Sequence, residues 1–168
     1  DDDSLPFSEL PIAGMCVSGI IGFDDFHNVA DYIEDAASSG RYYFKEFEDF
    51  TAELLKDKGF DFLLGSIHFV DDFAFDHKPE HWDGIDVDKI YRRYFEDSIS
   101  LAKSGIFDGI GHPDAIKLFG HKPSYSLTEY YERLAKVLAE KGMYADQNSG
   151  IARRCPGASL GMEEELLK

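Results

Sequence analysis

The apolar residues of this chain follow two alternating patterns from Tyr42 onward. Residues 60–70 and 106–111 are short, nearly continuous apolar runs, which are typical of buried strands in a parallel sheet, and residues 143–147 form a third candidate strand. Beside these runs, apolar residues recur every three or four positions, which predicts amphipathic helices. The helical stripes are Phe47, Phe50, Leu54 and Leu55; Ile90, Tyr91, Tyr94, Phe95, Leu101 and Ala102; and Leu127, Tyr130, Tyr131, Leu134 and Leu138.

Residues that favour helix ends bracket the second and third stripes. An acidic residue can begin a helix by accepting backbone N–H groups, and a glycine can end it in a left-handed conformation. A serine followed three residues later by a glutamate is a capping box, which here predicts a helix to about Glu140. The start and stop residues are Asp86 or Asp88 with Gly105 for the second helix, and Ser126, Glu129 and Gly142 for the third.

Helices and strands therefore alternate, which indicates an α/β fold with a parallel sheet. A partial (β/α) barrel and an open, doubly wound sheet are the competing architectures. The first 40 residues differ: residues 5–26 are apolar but interrupted by glycines, and residues 26–37 weakly predict a short helix. The length of 168 residues suits one domain, or a large part of a bigger one.

Charge narrows the range of functions. The chain has 17 basic and 33 acidic residues, a net charge of −16, which argues against binding to nucleic acid or to an acidic membrane surface. We find no signal peptide, no apolar run near the roughly 18 residues of a membrane span, and two cysteines, Cys16 and Cys155. A cytoplasmic location is therefore expected. An acidic protein can still act on an anionic substrate if metal ions supply positive charge.

The candidate functional residues lie where the predicted strands end, because functional residues of α/β proteins cluster there. His68 follows the first apolar run, and His112 follows the second, 44 residues later. Parallel strands joined by one helix place both imidazoles at one edge of the sheet, where two neutral rings can share a divalent ion. Asp114 can orient a histidine through a hydrogen bond to its ring, without itself binding the metal. The alternative is that each histidine is an ordinary buried residue.

Other polar residues receive a weaker functional interpretation or a structural one. Arg153 and Arg154 follow the third predicted strand, where a guanidinium can bind a phosphate. The sequence contains no phosphate-binding glycine loop, no nucleophile elbow and no HExxH zinc motif. Residues interpreted as solvated or as loop caps are His77, His81, His121, Asp71, Asp72, Arg92 and Arg93.

Five segments together resemble the polymerase and histidinol phosphatase (PHP) family, in particular its histidinol-phosphatase branch. The resemblance covers about residues 43–168 and is specific as a set, whereas each segment alone is weak. The segments are 60–69 (FDFLLGSIHF), 91–95 (YRRYF), 107–114 (FDGIGHPD), 117–123 (KLFGHKP) and 148–154 (NSGIARR).

The resemblance implies a fold, a cofactor and a reaction. The fold is α/β, part of a distorted (β/α)7 TIM-like barrel of the PHP type, with residues 1–168 as a single partial domain. In this family, up to three divalent metal ions, typically zinc, manganese or iron, hydrolyse a phosphomonoester. By resemblance, His68 and His112 are ligands of one ion, and Arg153 and Asn148 contact the substrate.

The chain also departs from the family pattern. Residues 1–41 match poorly, the His-x-His and Asp-x-His strands have no counterpart, and Gly40 stands where a bridging glutamate is expected, with Glu34 out of register. The sequence thus predicts a histidinol-phosphatase-like enzyme of histidine biosynthesis, with a small phosphorylated substrate and with poor or no activity in this chain. The alternatives are an inactive or degenerate PHP fragment acting through association, and a PHP phosphoesterase with another substrate.

Overall fold

A computed structural model describes residues 14–18, 49, 52, 61–71, 73–148, 150 and 162–167. The described strands are β1 (Gly14–Ser18), β2 (Phe62–Ser66), β3 (Gly109–Ile110) and β4 (Tyr144–Ala145). The described α-helices are α1 (Val87–Ser104) and α2 (Thr128–Lys141), and two short 3-10 helices lie at Pro79–Trp82 and Ala115–Lys117.

The four strands form one parallel sheet whose order, β1-β2-β3-β4, follows the chain. Leu64 of β2 lies opposite Gly109 of β3, and Ile110 of β3 lies opposite Ala145 of β4. Helix α1 connects β2 to β3, and α2 connects β3 to β4. The predicted α/β class with a parallel sheet is therefore confirmed.

Strand β1 is an element that the sequence pattern did not predict. Gly14 begins the strand, and Gly19 and Gly22 follow it closely, so the segment resembles a loop in composition. Its five residues pair in parallel with all five residues of β2. Backbone pairing with a neighbouring strand stabilises this segment without requiring a local periodic pattern.

The strands are shorter than predicted. β2 was expected over residues 60–70 but ends at Ser66, and Val70 instead forms a two-way backbone bridge with Phe73, 3.0 Å for each hydrogen bond. Asp71, between them, has a left-handed φ of 54°. Val70 is fully buried in this turn, whereas Phe62, Leu63 and Leu64 of β2 are only half-buried, so the prediction of a buried strand over residues 60–70 is confirmed only in part. Likewise, β3 and β4 have two residues each.

Helix α1 agrees with its predicted ends and its predicted buried face. Asp86 caps it, since the Asp86 carboxylate accepts a hydrogen bond from Lys89 N at 3.0 Å. Gly105 ends it with a left-handed φ of 73°. All six residues of the predicted stripe are buried: Ile90, Tyr91, Tyr94, Phe95, Leu101 and Ala102.

The same helix buries two polar residues that the pattern did not predict, Asp97 and Ser98. Ser98 Oγ donates to Tyr94 O at 2.8 Å, and Arg93 Nε lies 3.4 Å from Asp97 Oδ2. Arg93 is therefore half-buried along the helix surface rather than facing solvent as expected, whereas Arg92 is exposed.

The start of α2 differs from the predicted capping box. The helix begins at Thr128, and its cap residue, Leu127, makes no side-chain cap hydrogen bond. Ser126 Oγ instead accepts a hydrogen bond from Thr128 N at 3.2 Å. This local turn takes the place of the predicted capping box between Ser126 and Glu129. Of the predicted inner face, Tyr131, Leu134 and Leu138 are buried, while Tyr130 is only half-buried. Tyr130 lies at the margin of the interface, where Arg133 covers its ring.

Helices α1 and α2 pack against each other through aromatic rings and one ion pair. The rings of Phe95 and Tyr131 meet edge to face at 5.4 Å. At the margin, the two guanidinium nitrogens of Arg133 donate to the Glu96 carboxylate at 2.6 and 2.8 Å. This packing holds both crossover helices against the core beneath them.

Two predicted helices lie almost entirely outside the described residues, namely those over residues 26–37 and around Phe47–Leu55. In the latter, Asp49 and Ala52 are described, and both are helical and exposed. Within the described part of the chain, neither α-helix has the length and apolar character needed to cross a membrane.

Leu134 tests the packing of α2. Its side chain is fully buried, so we expect Leu134→Ala to lower the free energy of unfolding by about 2–5 kcal/mol, through lost burial and the cavity left behind. Lys136→Ala is the matched control, because the Lys136 side chain is 74% exposed and the change should stay within about 0.5 kcal/mol. Urea unfolding measures both variants. Equal losses would show that this face of α2 is not part of the core.

Candidate metal centre

His68 and His112 meet at the carboxyl edge of the sheet. Each lies two residues beyond the end of its strand, His68 after β2 and His112 after β3. The centroids of the two rings are 4.9 Å apart, and the rings meet edge to face at 76°. The predicted juxtaposition of the two imidazoles is therefore confirmed, while ligation of a metal by them stays a prediction.

Glycines allow the ends of β2 and β3 to approach this closely. Gly111 N donates a hydrogen bond to Gly65 O at 2.7 Å, one residue before His112 and three residues before His68. A Cβ atom on Gly111 would clash with Ser66 Oγ, and one on Gly65 would lie 2.8 Å from the ring of Phe107. The absence of side chains at these two positions thus lets the strand ends pair and brings the histidine loops together.

A buried carboxylate orients His68. His68 Nδ1 and Asp76 Oδ2 are 2.6 Å apart, and Asp76 is 8% exposed. An ionised carboxylate only accepts hydrogen bonds, so Nδ1 carries the proton and the Nε2 lone pair of a neutral ring is available to a ligand. A histidine held from behind by a carboxylate is the usual arrangement of a metal-binding histidine.

Sequence reasoning missed Asp76. It lies in an acidic, aromatic loop among residues 71–84, where no periodic pattern separates it from Asp71 or Asp72. The backbone bridge between Val70 and Phe73 reverses the chain and returns Asp76 to His68. The only signal in the sequence is the short separation of eight residues after a histidine at a strand end.

The backbone of His112 is strained and held from two sides. Its φ is 36°, a left-handed value that few residues with a side chain adopt, and Pro113 follows it, which disfavours the right-handed helical alternative. Its carbonyl oxygen accepts hydrogen bonds from Ala115 N at 2.9 Å and from Tyr94 Oη at 3.1 Å. A strained backbone at one position costs about 1–3 kcal/mol and is often kept at functional sites.

The imidazole of His112 suits a metal ion. Its Nδ1 atom is buried and forms no hydrogen bond with any described residue. Burial, followed by the proximity of His68, lowers the pKa of His112, and the Asp146 carboxylate opposes this shift. The ring is therefore held neutral with its lone pair available, and a buried polar atom without a partner is rare in a folded protein. The donor set of two imidazoles fits zinc or iron, whereas manganese would need further oxygen ligands.

Asp114 does not orient a histidine, contrary to the sequence-based expectation. Its Oδ2 atom accepts hydrogen bonds from Lys117 Nζ and from Glu163 N, each at 2.7 Å. Burial raises the pKa of Asp114, while the hydrogen bond from Lys117 opposes the shift. The turn through Pro113 directs this carboxylate to the C-terminal residues, so its role in the described structure is to anchor residues 162–167.

The third strand end presents Asp146 and Asn148 at the same edge of the sheet. Asp146 N donates a hydrogen bond to Ile110 O at 2.9 Å, and Ile110 lies two residues before His112. Asn148 Nδ2 donates to Asp146 Oδ2 at 3.2 Å, and Asn148 Oδ1 accepts from Gly150 N at 2.7 Å. Asn148 therefore shapes the turn after β4. The other predicted substrate contact, Arg153, lies outside the described residues, as do Glu34 and Gly40.

The remaining histidines of the described chain form ring contacts with other side chains. His77 and His81 are exposed, as expected of solvated loop residues. His121 is half-buried and stacks on Trp82, with ring centroids 4.5 Å apart, so its expected solvation is wrong. Among the described residues, no group of three or more His, Cys, Asp or Glu side chains is arranged to hold a metal ion. His68 and His112 are thus the paired donors that this part of the structure offers.

Comparison with known proteins identifies the family of the chain. The family model of the PHP domain matches residues 11–150, and the chain therefore belongs to the PHP family. At the level of the family, this indicates a phosphoester hydrolase. The match begins upstream of residue 43, where the resemblance noted in the sequence starts, and it includes β1.

A curated relative is the "Probable histidinol-phosphatase" of Deinococcus radiodurans. It is 33% identical to this chain over 113 residues, which cover 64% of this chain and 41% of the relative. The chain thus aligns with less than half of the length of that protein.

Ser66 and Gly111 test the close approach of β2 and β3. We expect Gly111→Ala to lower the free energy of unfolding by about 1–3 kcal/mol, because the new Cβ would clash with Ser66 Oγ. In a Ser66→Ala background the cost should fall, since the remaining Ser66 Cβ atom would be 3.5 Å away. Urea unfolding of the four proteins measures this coupling. An equal cost in both backgrounds would contradict the steric explanation.

Proposed function

We propose that this chain carries part of the metal centre of a histidinol-phosphatase-like phosphomonoesterase. The observation that carries the proposal is the pair of imidazoles, His68 and His112, 4.9 Å apart at one strand edge, with His68 held by Asp76. The proposed fold is a distorted (β/α)7 TIM-like barrel, of which residues 1–168 form one partial domain. The unreversed strand order supports a barrel, because a doubly wound sheet reverses its order at the ligand site.

The proposed cofactor is one or more divalent ions: zinc, manganese or iron. His68 would bind through Nε2, the nitrogen opposite its bond to Asp76. His112 would bind as a neutral ring, which its lowered pKa favours. Such ions would supply positive charge to a phosphate and lower the pKa of a bound water molecule. This charge matters here, because a chain with a net charge of −16 would otherwise repel a phosphorylated substrate.

The proposed substrate is histidinol phosphate, in histidine biosynthesis in the cytoplasm, because the Deinococcus relative bears the name of that activity. Asn148 and Arg153 stay predicted substrate contacts. Asn148 follows β4 at the same edge as the two histidines, which is compatible with that role. A neighbouring arginine would pair with phosphate oxygens through two parallel hydrogen bonds.

A non-catalytic role, through association, is the second candidate. It is favoured by the observation that the described residues pair two metal donors and group no third with them. The two candidates make different predictions for metal binding and for turnover. A PHP phosphoesterase with another substrate would bind metal and release phosphate from a different ester.

Metal binding tests the first candidate directly. We expect the 168-residue chain to bind Zn²⁺ or Mn²⁺, and His68→Ala or His112→Ala to weaken binding by more than about 100-fold, beyond the effect typical of an outer-shell residue. His77→Ala and His81→Ala are matched controls, since both histidines are exposed and their rings contact other side chains. Calorimetric titration and elemental analysis measure the affinity and the stoichiometry. Equal losses in all four variants would rule out the proposed centre.

Asp76→Asn tests the support of His68. The amide keeps the size of the carboxylate but loses its charge, so it should hold His68 Nδ1–H more weakly and lower the metal affinity by about 10–100-fold. Asp83→Asn is the control, because Asp83 is an exposed residue of the same loop. An unchanged affinity in Asp76→Asn would show that the contact does not serve the metal.

Phosphate release from histidinol phosphate separates the candidates. Because two metal donors are paired and Gly40 stands in the place of a bridging glutamate, we expect slow turnover by this chain with added manganese or zinc. Turnover that disappears in His68→Ala would support the enzyme. Metal binding without turnover on several phosphomonoesters would favour the non-catalytic role.

A further inference from the structure

Tyr94 of α1 connects the helix layer to the candidate metal centre. Its ring is 1% exposed, and its hydroxyl donates to the carbonyl oxygen of His112 at 3.1 Å. Phe75 meets the ring edge to face at 5.2 Å, and Phe75 directly precedes Asp76, the residue that holds His68. One side chain therefore contacts the backbone of His112 and the neighbour of the residue that holds His68.

The hydrogen bond from Tyr94 to the His112 carbonyl bears on the direction of the His112 ring. This residue has a left-handed φ of 36°, and its peptide group must be held for the imidazole to keep its direction. Ala115 N holds the carbonyl from within the same loop, at 2.9 Å. The Tyr94 hydroxyl is a donor from a rigid helix, and it therefore fixes the loop relative to the rest of the fold.

We infer that Tyr94 is a positioning residue for the metal centre, whose hydroxyl fixes the His112 backbone so that the His112 ring faces His68. This inference rests on the proposed metal site. It assigns Tyr94 no contact with the metal or with the substrate. The Tyr94 hydroxyl acts through the carbonyl group of His112.

Tyr91 provides a closely matched control. It lies three residues earlier on the same helix, is 2% exposed, and its hydroxyl donates to the backbone carbonyl of His121. His121 stacks on Trp82 and is not paired with His68. Tyr91→Phe and Tyr94→Phe thus remove the same kind of hydrogen bond from the same helix, and only the second bond holds a candidate ligand.

Metal affinity is the first measurement. We expect Tyr94→Phe to weaken binding of Zn²⁺ or Co²⁺ by about tenfold, the lower end of the range for residues that support a ligand. The visible absorption of the Co²⁺-loaded protein should change, because it depends on ligand geometry. Tyr91→Phe should keep both properties of the unaltered chain. Equal effects in the two variants, or none in Tyr94→Phe, would overturn the inference.

A second measurement needs no metal. Proton–nitrogen correlations of the imidazole rings report their tautomers and surroundings, and we expect Tyr94→Phe to shift or broaden those of His112 while Tyr91→Phe leaves them unchanged. If the unaltered chain binds no divalent ion, the proposed metal site fails. The imidazole spectra then decide the positioning role by themselves, and unchanged His112 signals would refute it.

An isosteric pair covers the case in which Tyr94→Phe does not fold. Tyr94→4-aminophenylalanine keeps an N–H donor at the position of the hydroxyl, and Tyr94→4-methylphenylalanine fills the same volume without a donor. We expect the amino variant to restore metal affinity and the His112 signals, and the methyl variant to show the loss. Identical behaviour of the two would attribute any effect to packing, against the inference.

Discussion

The close parallel pairing of β2 with β3 is the constraint on which the candidate site depends. The hydrogen bond from Gly111 N to Gly65 O continues the pairing beyond the last strand residues. A histidine follows each strand at the same edge of the sheet, and the centroids of the two rings are 4.9 Å apart. A side chain at Gly111 would occupy the space of Ser66 Oγ. The lack of a side chain at this position is thus a condition for the site as well as for the fold.

Buried polar contacts then hold the two rings in different ways. His68 is oriented through its ring, by the carboxylate of Asp76. His112 is oriented through its backbone, by donors from Ala115 and Tyr94 on the carbonyl oxygen. The second arrangement leaves Nδ1 of His112 without a hydrogen-bond partner among the described residues, which suits a ring that must offer a lone pair. Fixed ligands lower the entropy lost when a metal ion binds.

The acidic residues next to the histidine pair each have a specific partner. Asp114, two residues after His112, is paired with Lys117 and with the backbone of Glu163, away from the rings. Asp76 is the carboxylate in contact with His68. Two imidazoles with a carboxylate behind one of them would suit the proposed divalent cation without placing several negative charges together. A bound cation would in turn offset the repulsion between a phosphate group and a chain with a net charge of −16.

The sequence by itself determined the alternation of helices and strands, the ends and inner face of α1, and the placement of His68 and His112 after two strands. These features rest on local periodicity and on caps, which act over a few residues. Tertiary structure alone decided the pairing of β1, the contact of Asp76 with His68 and the direction of Asp114. Each of these depends on a turn or on a partner strand, and polar loop residues carry no periodic pattern that reveals which way a chain will turn.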